Sequence, residues 1–408
     1  MASSEAVEIS GHLMDSGLLS RVLDDIREYG GDYRIDRFDV GHESGDTSRA
    51  VIDVTAEDDE ELQRLLMRLQ TRGANMVEAG DATVAEVAED GVFPDGFYST
   101  TNLPTAVRLA GRWHPVENPE MDCGLWVETT GTGVRVRTLA MSDVRSGMQL
   151  VRGAVGVRVT PPPAVQAGGW GFMESEVSSE KPQTVLVAGV AEHIRRAKAA
   201  GLKVLWVGGP GVVHTGAAPA LARLVEAGYV DVLFAGNALA THDIEANLYG
   251  TSLGIDLTAG HGVEHGHEHH IRAINTIRKA GSIAAAVEQG VLTGGVMHAM
   301  VRAGKPFVLV GSVRDDGPLP DVHTDVVEGQ RAMRAQLDGV GYCLMVATML
   351  HSVATGNLLP ASVPLTCVDI NPATVTKLAD RGSSQAQGIV TDVGLFLEHL
   401  ARELVPGH

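Results

Sequence analysis

Residues 204–243 read VLWVGGPGVVHTGAAPALARLVEAGYVDVLFAGNALATHD, and this stretch decides the fold. An apolar run leads into Gly208, Gly209 and Gly211, a helical pattern follows, and a second apolar run ends in a polar turn at Asn237 and Ala238. Strand, glycine turn, helix, strand is a unit that cradles a nucleotide, because the helix, opening near His214 to Gly216, aims N–H groups and its positive dipole end at an anion. The spacing departs from the dinucleotide pattern GxGxxG by placing His214 where the third glycine would stand. Glycines that merely close ordinary βα turns would look the same. A second polar turn adds weight. The apolar strand 342–347 runs into Thr348, Met349, Leu350 and His351, and about twenty residues further on LTCVDINP carries Asp369, a spacing that suits a carboxylate on a ribose 2′-OH. Together the two turns predict a bound dinucleotide.

Working outward, residues 183–408 alternate helical stretches with the apolar runs TVLVAGV, KVLWVGG, VDVLFAG, FVLVGS, YCLMVAT, LTCVDI and GIVTD. Near-continuous apolar strands of this kind predict a parallel sheet covered on both faces, an α/β Rossmann-like domain over 182–408. Residues 96–181 change character. Short apolar stretches (AVRLAGRWHPV, GLWVETTG, VRVRTLA, MQLVRGAVGVRV) are separated by turn residues, which predicts a β-rich, barrel-like domain. Over 1–95 the order VEISGHL, LLSRVLDDIREYG, RIDRFDVG, RAVIDVTA, ELQRLLMRLQTRG, ATVAEVA is βαββαβ, the signature of a small ferredoxin-like α+β domain.

The chain has 408 residues and a net charge of −19, with six lysines among its 32 basic residues. Such a charge repels nucleic-acid phosphates and anionic membranes, so neither is an expected partner. No run of eighteen apolar residues occurs, and the opening MASSEAVEIS has no basic segment followed by an apolar one, so a cytoplasmic protein is expected. Cys123, Cys343 and Cys367 lie apart without a CxxC spacing, which predicts buried thiols rather than disulfides or a thiolate zinc site.

The polar residues that could carry chemistry gather after the predicted strands, where open α/β sheets bind ligands. Asn237 and Ala238 follow VDVLFAG; Ser312, Arg314, Asp315 and Asp316 follow FVLVGS; Thr348 and His351 follow YCLMVAT; Asp392 follows GIV. Any one such Asn or Asp could simply cap a helix. The run RDDGPLPD sets a guanidinium beside two carboxylates in a loop stiffened by Gly and Pro, a group able to grip a zwitterionic amino acid and supply a base, or else a solvated turn with a surface ion pair. FYSTTNLPTAVRLAGRWHPVENPEMDCG (97–124) is polar and loop-rich, a stretch that could close over a cleft or form barrel surface. HGVEHGHEHH holds His261, His265, His267, His269 and His270 without a metal-binding spacing, so no metal is expected, and a loop using imidazole as acid or base is the better reading. GxxxxGK[ST] is absent.

Taken in order, SGHLMDSGLLSRVLDDI, FYSTTNLPT, GRWHPVENPEMDCG, ESEVSSEKP, VVHTGAAPALARLVEAGYVD, AGNALATHDIEANLYGTSLG, AINTIRKAGSIAAAVEQGVLTGG, GSVRDDGPLPDV, ATMLHSVATGN and VDINPATVTKLADRGS resemble the LOR/SDH-region family, which includes the archaeal-type ornithine cyclodeaminases and the C-terminal half of cyanobacterial bifunctional arginine dihydrolase/ornithine cyclodeaminases. The resemblance spans nearly the whole chain but no guanidine-hydrolysing domain, so arginine hydrolysis is not expected. It implies conversion of L-ornithine to L-proline and ammonia with NAD as an internally recycled hydride carrier: hydride leaves the α-carbon, the δ-amine attacks the imine, ammonia departs and the cyclic imine recovers the hydride. A dry, closed site would protect the imine. Under this resemblance Asp315 or Asp316 is the base, Arg314 grips the carboxylate, and His351 or His242 shuttles protons. The matching blocks point for NAD to Asn237, Ala238, Ser312, Thr348, Met349, Leu350 and His351, to Asp369 for the adenosine ribose, and to Asp392 with Val393. A dehydrogenase of another basic amino acid and a non-catalytic NAD-binding amino-acid sensor are the alternatives. The edge of a ferredoxin-like sheet often pairs across a two-fold, so a homodimer or homotetramer is expected.

Overall fold

The computed structural model describes residues 2–13, 17–41, 46–131, 133–160, 177–178, 183–257, 268–315, 317–380 and 386–406. The chain divides into two compact units, Met1–Gly168 with Asn357–Ser362, and Gly169–Gly356 with Val363–His408.

In the first unit, β1 (Ser3–Gly11), α1 (Leu18–Glu28), β2 (Asp32–Asp39), β3 (Ser48–Ala56), α2 (Asp59–Gln70) and β4 (Asn75–Met76) build an antiparallel sheet in the order β2-β3-β1-β4. This is the expected ferredoxin-like order. The period-two pattern explains its core: Val7 and Ile9 on β1 and Ala50, Ile52 and Val54 on β3 are buried against Val22 and Ile26 of α1 and Leu62, Leu65, Leu66 and Leu69 of α2. One expectation is corrected. The closing strand is Asn75–Met76, not ATVAEVA, whose residues Thr83–Glu86 form β5 of the next sheet and pair with β10. An alternating pattern names a strand but not its sheet, and the side-chain amide of Asn75 on β4 is spent on the backbone of Val159, at 2.8 and 2.9 Å.

That second sheet, a half-barrel, contains β5, β6 (Thr105–Leu109), β7 (Arg112–Glu117), β8 (Gly124–Thr130), β9 (Gly133–Leu139), β10 (Gln149–Arg152) and β11 (Val157–Val159), in the order β11-β6-β7-β9-β8-β10-β5. β6 and β7 form a two-residue hairpin in which Ala110 and Gly111 both take positive φ, the turn that matches strand twist. Asn357–Ser362 belongs to this unit: the Asn102 side chain donates to the Leu359 carbonyl at 3.2 Å, and Ala361 donates to the Asn102 carbonyl at 2.8 Å.

The second unit begins with β12 (Val177–Ser178) and α3 (Gln183–Ala199), then β13 (Lys203–Gly208), α4 (Gly211–His214), α5 (Ala218–Glu226), β14 (Val232–Gly236) and α6 (Asn237–Tyr249). The small hairpin β15 (Thr251–Ser252) and β16 (Ile255–Asp256) precedes α7 (His269–Ala280), α8 (Ile283–Glu288) and α9 (Val296–Arg302). β17 (Phe307–Val310), β18 (Val322–His323), α10 (Val326–Arg334), β19 (Val340–Val346), α11 (Leu350–Leu358), β20 (Leu365–Asp369), α12 (Pro372–Asp380), β21 (Ala386–Val390) and α13 (Val393–Leu404) complete it. The eight strands run parallel in the order β12-β21-β20-β19-β13-β14-β17-β18. The chain builds outward from β13 in one direction and returns to β13's other side with β19, so the order reverses between these two strands. TVLVAGV, expected as a strand, is the start of helix α3. Leu186, Val187, Val190, Ala191, Ile194 and Ala197 repeat at helical spacing and are buried, and a short apolar run cannot by itself separate a strand from a buried helix. Trp206, the largest buried side chain, donates its indole N–H to the Tyr229 carbonyl at 3.0 Å, which satisfies its polar atom inside the core.

Candidate functional site

The carboxyl ends of β13 and β19 meet at the point where strand order reverses, the position at which open α/β sheets hold ligands. Two turns face each other there. After β13, the chain enters the single turn of α4 at Gly211, with α5 following only at Ala218, so the helical start lies closer to the glycines than the sequence suggested. After β19, Ala347 adopts φ 55°, a left-handed conformation uncommon for alanine, and α11 starts at Leu350. The turns touch. A Cβ on Gly209 would lie 1.9 Å from the Ala347 carbonyl oxygen and 2.9 Å from Thr348 Cβ, and one on Gly211 would lie 2.9 Å from Ala347 Cβ. These glycines are therefore required by close approach of two backbones.

The surroundings fit a dinucleotide. None of α4, α6 and α11 carries an acidic residue in its first turn, although the chain holds 51 acidic residues. Phosphates would thus meet helix N-termini without facing carboxylates on them. Asp369 ends β20, the strand after the β19 turn, and is buried, with Oδ1 accepting the Asn371 N–H at 2.8 Å. Leu350 and Ile370, just beyond the ends of β19 and β20, are 67% and 69% exposed, apolar surface of the kind a flat heteroaromatic ring covers. Asp392 follows β21, next to Thr391, whose N–H donates to the Asp369 carbonyl at 3.2 Å; it caps α13 by accepting the Leu395 N–H at 2.7 Å and shares a small pocket with Thr215 and Gly216, while Val393 is buried.

The neighbouring strand ends bring four of the candidate residues together. Asn237 opens α6 and is buried. Its Oδ1 accepts from Leu319 N at 3.1 Å and from Thr241 Oγ1 at 3.2 Å, and its Nδ2 donates to Asp315 Oδ1 at 3.3 Å. Asp315 Oδ2 accepts the Ser312 N–H at 2.7 Å. The amide and the carboxylate thus pin the loop after β17 onto α6, and Arg314 stands exposed on that loop. Asp316 lies outside the described residues. His351 enters from α11. A Cβ on Gly236 would lie 3.0 Å from His351 Cε1, so the ring rests on that glycine. Burial holds His351 below the usual imidazole value, opposed by a hydrogen bond with the Val310 carbonyl and the charge of Asp315. Burial therefore favours the uncharged imidazole, with the Val310 carbonyl beside it.

His242 is not part of this group. It lies farther along α6, with Nδ1 2.8 Å from Glu245 Oε2, and its ring is edge-on to His214 at 4.9 Å. Glu245 is fully buried and also accepts from Thr251 Oγ1 at 2.9 Å and Gly254 N at 3.0 Å. Burial works to raise its carboxyl, but these hydrogen bonds win and hold it low. His214 Nδ1 bonds Ser252 Oγ at 2.7 Å, and burial, then the nearby His242, holds its imidazole below the ordinary value. This cluster fastens α4 and the β15–β16 hairpin to α6. Glu245 was missed in the sequence, although His and Glu three apart on a helix share a face. Gly236 and Ala347 were also missed, because nothing in a strand-end small residue announces what will lie against it. Among the described residues no group of three or more His, Cys, Asp or Glu could hold a metal; His261, His265 and His267 lie outside them. All three cysteines are buried; burial pushes the Cys367 thiol up to about 12 and the Cys343 thiol well above its ordinary value, which disqualifies both as nucleophiles.

Three family models match in succession: the LOR/SDH bifunctional enzyme conserved region over residues 4–103, the first region of the arginine dihydrolase ArgZ-like C-terminal part over 104–187, and its Rossmann fold over 188–400. A protein named ornithine cyclodeaminase from Methanothermobacter thermautotrophicus is 49% identical over 98% of both chains. The apo structure of the cyanobacterial arginine dihydrolase ArgZ superposes with a TM-score of 0.87 at 37% identity, covering 99% of this chain and 58% of that one. AgrE of Nostoc, described in a ternary complex with ornithine and NAD+, matches at 43% identity with a TM-score of 0.53, again over 99% of this chain and 57% of the longer one. The chain therefore spans just over half the length of those cyanobacterial proteins. It belongs to the LOR/SDH-region family that unites the archaeal ornithine cyclodeaminases with the C-terminal part of the cyanobacterial arginine dihydrolases.

Proposed function

We propose that this protein is an ornithine cyclodeaminase that converts L-ornithine to L-proline and ammonia with NAD as an internally recycled hydride carrier. The observation that carries the reading is the meeting of the Gly209 and Ala347 turns beside a neutral, oriented His351. Near-full-length similarity to chains of that name supports it. Bound NAD would supply a reversible hydride acceptor, held by the two turns, the α11 N-terminus and Asp369. The chain's own part is to bind, orient and move protons. His351 takes and returns the substrate amine proton. Arg314 is available for the α-carboxylate. Asp315 accepts from Ser312 and Asn237, which ties the loop to α6, and its charge favours the charged form of His351; Asp315 and Asp316 are the alternative base. Among the described residues no helix is long and apolar enough to cross a membrane. We place the protein in the cytoplasm, in arginine catabolism and proline formation, with the three domains expected at 1–95, 96–181 and 182–408 but the first boundary moved ahead of β5.

The test is incubation with L-ornithine and NAD+, with proline and ammonia followed by mass spectrometry and NADH by absorbance. Equal proline and ammonia without net NADH is expected. NADH without proline would instead establish a dehydrogenase of a basic amino acid.

A further inference from the structure

Between α5 and α6 the second unit holds a cleft of about 500 Å³, within the roughly 300–1,000 Å³ typical of small-molecule sites. Neither the Gly209 and Ala347 turns nor the His351 group lines it. The sequences of the two helices explain the space. Ala218, Ala222, Arg223 and Glu226 recur at intervals of three and four residues and so share one face of α5, and Asp243, Ala246 and Asn247 do the same on α6. Alanine at 218, 222 and 246 leaves room that a longer side chain would fill, and Val213 and Leu257 extend the apolar wall.

The polar groups of the cleft differ in what remains open on them. Asp243 is fully engaged, each oxygen accepting one N–H of α9, from Val296 and Met297, at 2.8 Å. Asn247 is engaged on one side only: Oδ1 accepts the Thr293 N–H at 3.2 Å, and among the described residues Nδ2 donates to nothing. Arg223 gives one terminal nitrogen to Glu398 at 2.8 Å, which leaves its other N–H groups as donors. Glu226 is exposed, and among the described residues its carboxylate joins no hydrogen bond or ion pair.

What is left is a guanidinium and an amide to bind an anion, one carboxylate to bind a cation, and an aliphatic wall. A zwitterionic α-amino acid with an apolar side chain matches all three. Its carboxylate takes the Arg223 and Asn247 donors, its ammonium faces Glu226, and its side chain covers the alanines. A dibasic amino acid fits less well, because its second cation would find only Asp243, whose oxygens already hold α9. The preference is thus the reverse of the one expected for the substrate.

We propose that the cleft between α5 and α6 is a second ligand site, separate from the site of the reaction, and that it takes an α-amino acid with an apolar side chain.

The test is equilibrium dialysis of the full-length protein, loaded with NAD+, against radiolabelled L-valine and L-leucine, with L-lysine as the contrast. At least one of the apolar pair is expected to bind at one molecule per chain and more tightly than lysine. Ala222→Trp fills the cleft and should abolish that binding. Glu226→Gln removes the partner of the ammonium at an exposed position and should weaken binding about 10-fold. Arg314→Ala, in the candidate reaction site, should leave it unchanged. Failure of both apolar amino acids to bind, or tighter binding of lysine, overturns the proposal. A loss of binding in Arg314→Ala places the ligand at the reaction site and overturns it too. Unchanged affinity in Glu226→Gln has the same force whether or not Ala222→Trp folds. Because the readout is binding, the result is independent of whether ornithine is turned over.

Discussion

His351 shows how a side chain acquires a role from backbone placed on three different strands. Gly236 ends β14, Val310 ends β17, and α11 follows β19, so its ring is seated, bonded and dehydrated by elements far apart in sequence. Replacing His351 by Gln keeps a similar polar size and removes the base. We expect kcat to fall by about 100-fold to 10,000-fold with little change in ornithine KM. The pH dependence has a defined sign. A base works deprotonated, and burial sets this imidazole below its ordinary 6.5, so activity should persist as pH falls to that value and fail only below it. A wild-type acid limb centred above 6.5, or a His351→Gln variant retaining that limb, would assign the base elsewhere. Asp315 and His351 were both legible as polar residues after apolar strands. That Asp315 would bond Asn237 was not legible, because that contact depends on a partner 78 residues away.

At the level of elements, α9 has no capping side chain of its own. Asp243, buried on α6, accepts the Val296 and Met297 N–H groups at 2.8 Å each, and Gly295 must lack a Cβ because one would lie 2.7 Å from Asp243 Oδ2. Burial pushes the Asp243 carboxyl up to about 6, against the pull of those two donors. A carboxyl whose folded value exceeds its unfolded 3.8 contributes stability in full below 3.8 and loses it as pH rises through about 6. Asp243→Asn offers one acceptor to two donors, so it should cost about 1–2 kcal/mol. In urea titrations the gap between wild type and variant should narrow between pH 4 and pH 6; a gap independent of pH would refute the assigned titration. Most elements could be read from the sequence because the apolar runs of the parallel sheet are buried on both faces and carry no competing pattern. The exceptions have the same cause. TVLVAGV and ATVAEVA have apolar patterns that suit more than one packing, and long-range neighbours choose between them.

On the scale of the molecule, a net charge of −19 is spread over a chain whose ion pairs are mostly exposed. Isolated surface pairs stabilise weakly, whereas uniform repulsion opposes the compact state and is screened by salt. Raising ionic strength with a salt that does not bind should therefore raise the midpoint of thermal unfolding by a few degrees. A midpoint that falls on adding sodium chloride would mean that the specific pairs outweigh the repulsion.

Residues 357–362 lie nearly two hundred positions after the rest of the first unit, yet they complete it: Leu103 and Val159 bury against Ala361, and the Asn102 amide is satisfied at Leu359. During synthesis the first 168 residues emerge with that corner unfinished, an apolar notch and a buried amide awaiting a segment still to be translated. The first unit is thus not an autonomous module that gene fusion or truncation could move intact, and a break anywhere between α11 and β20 should disturb both units at once.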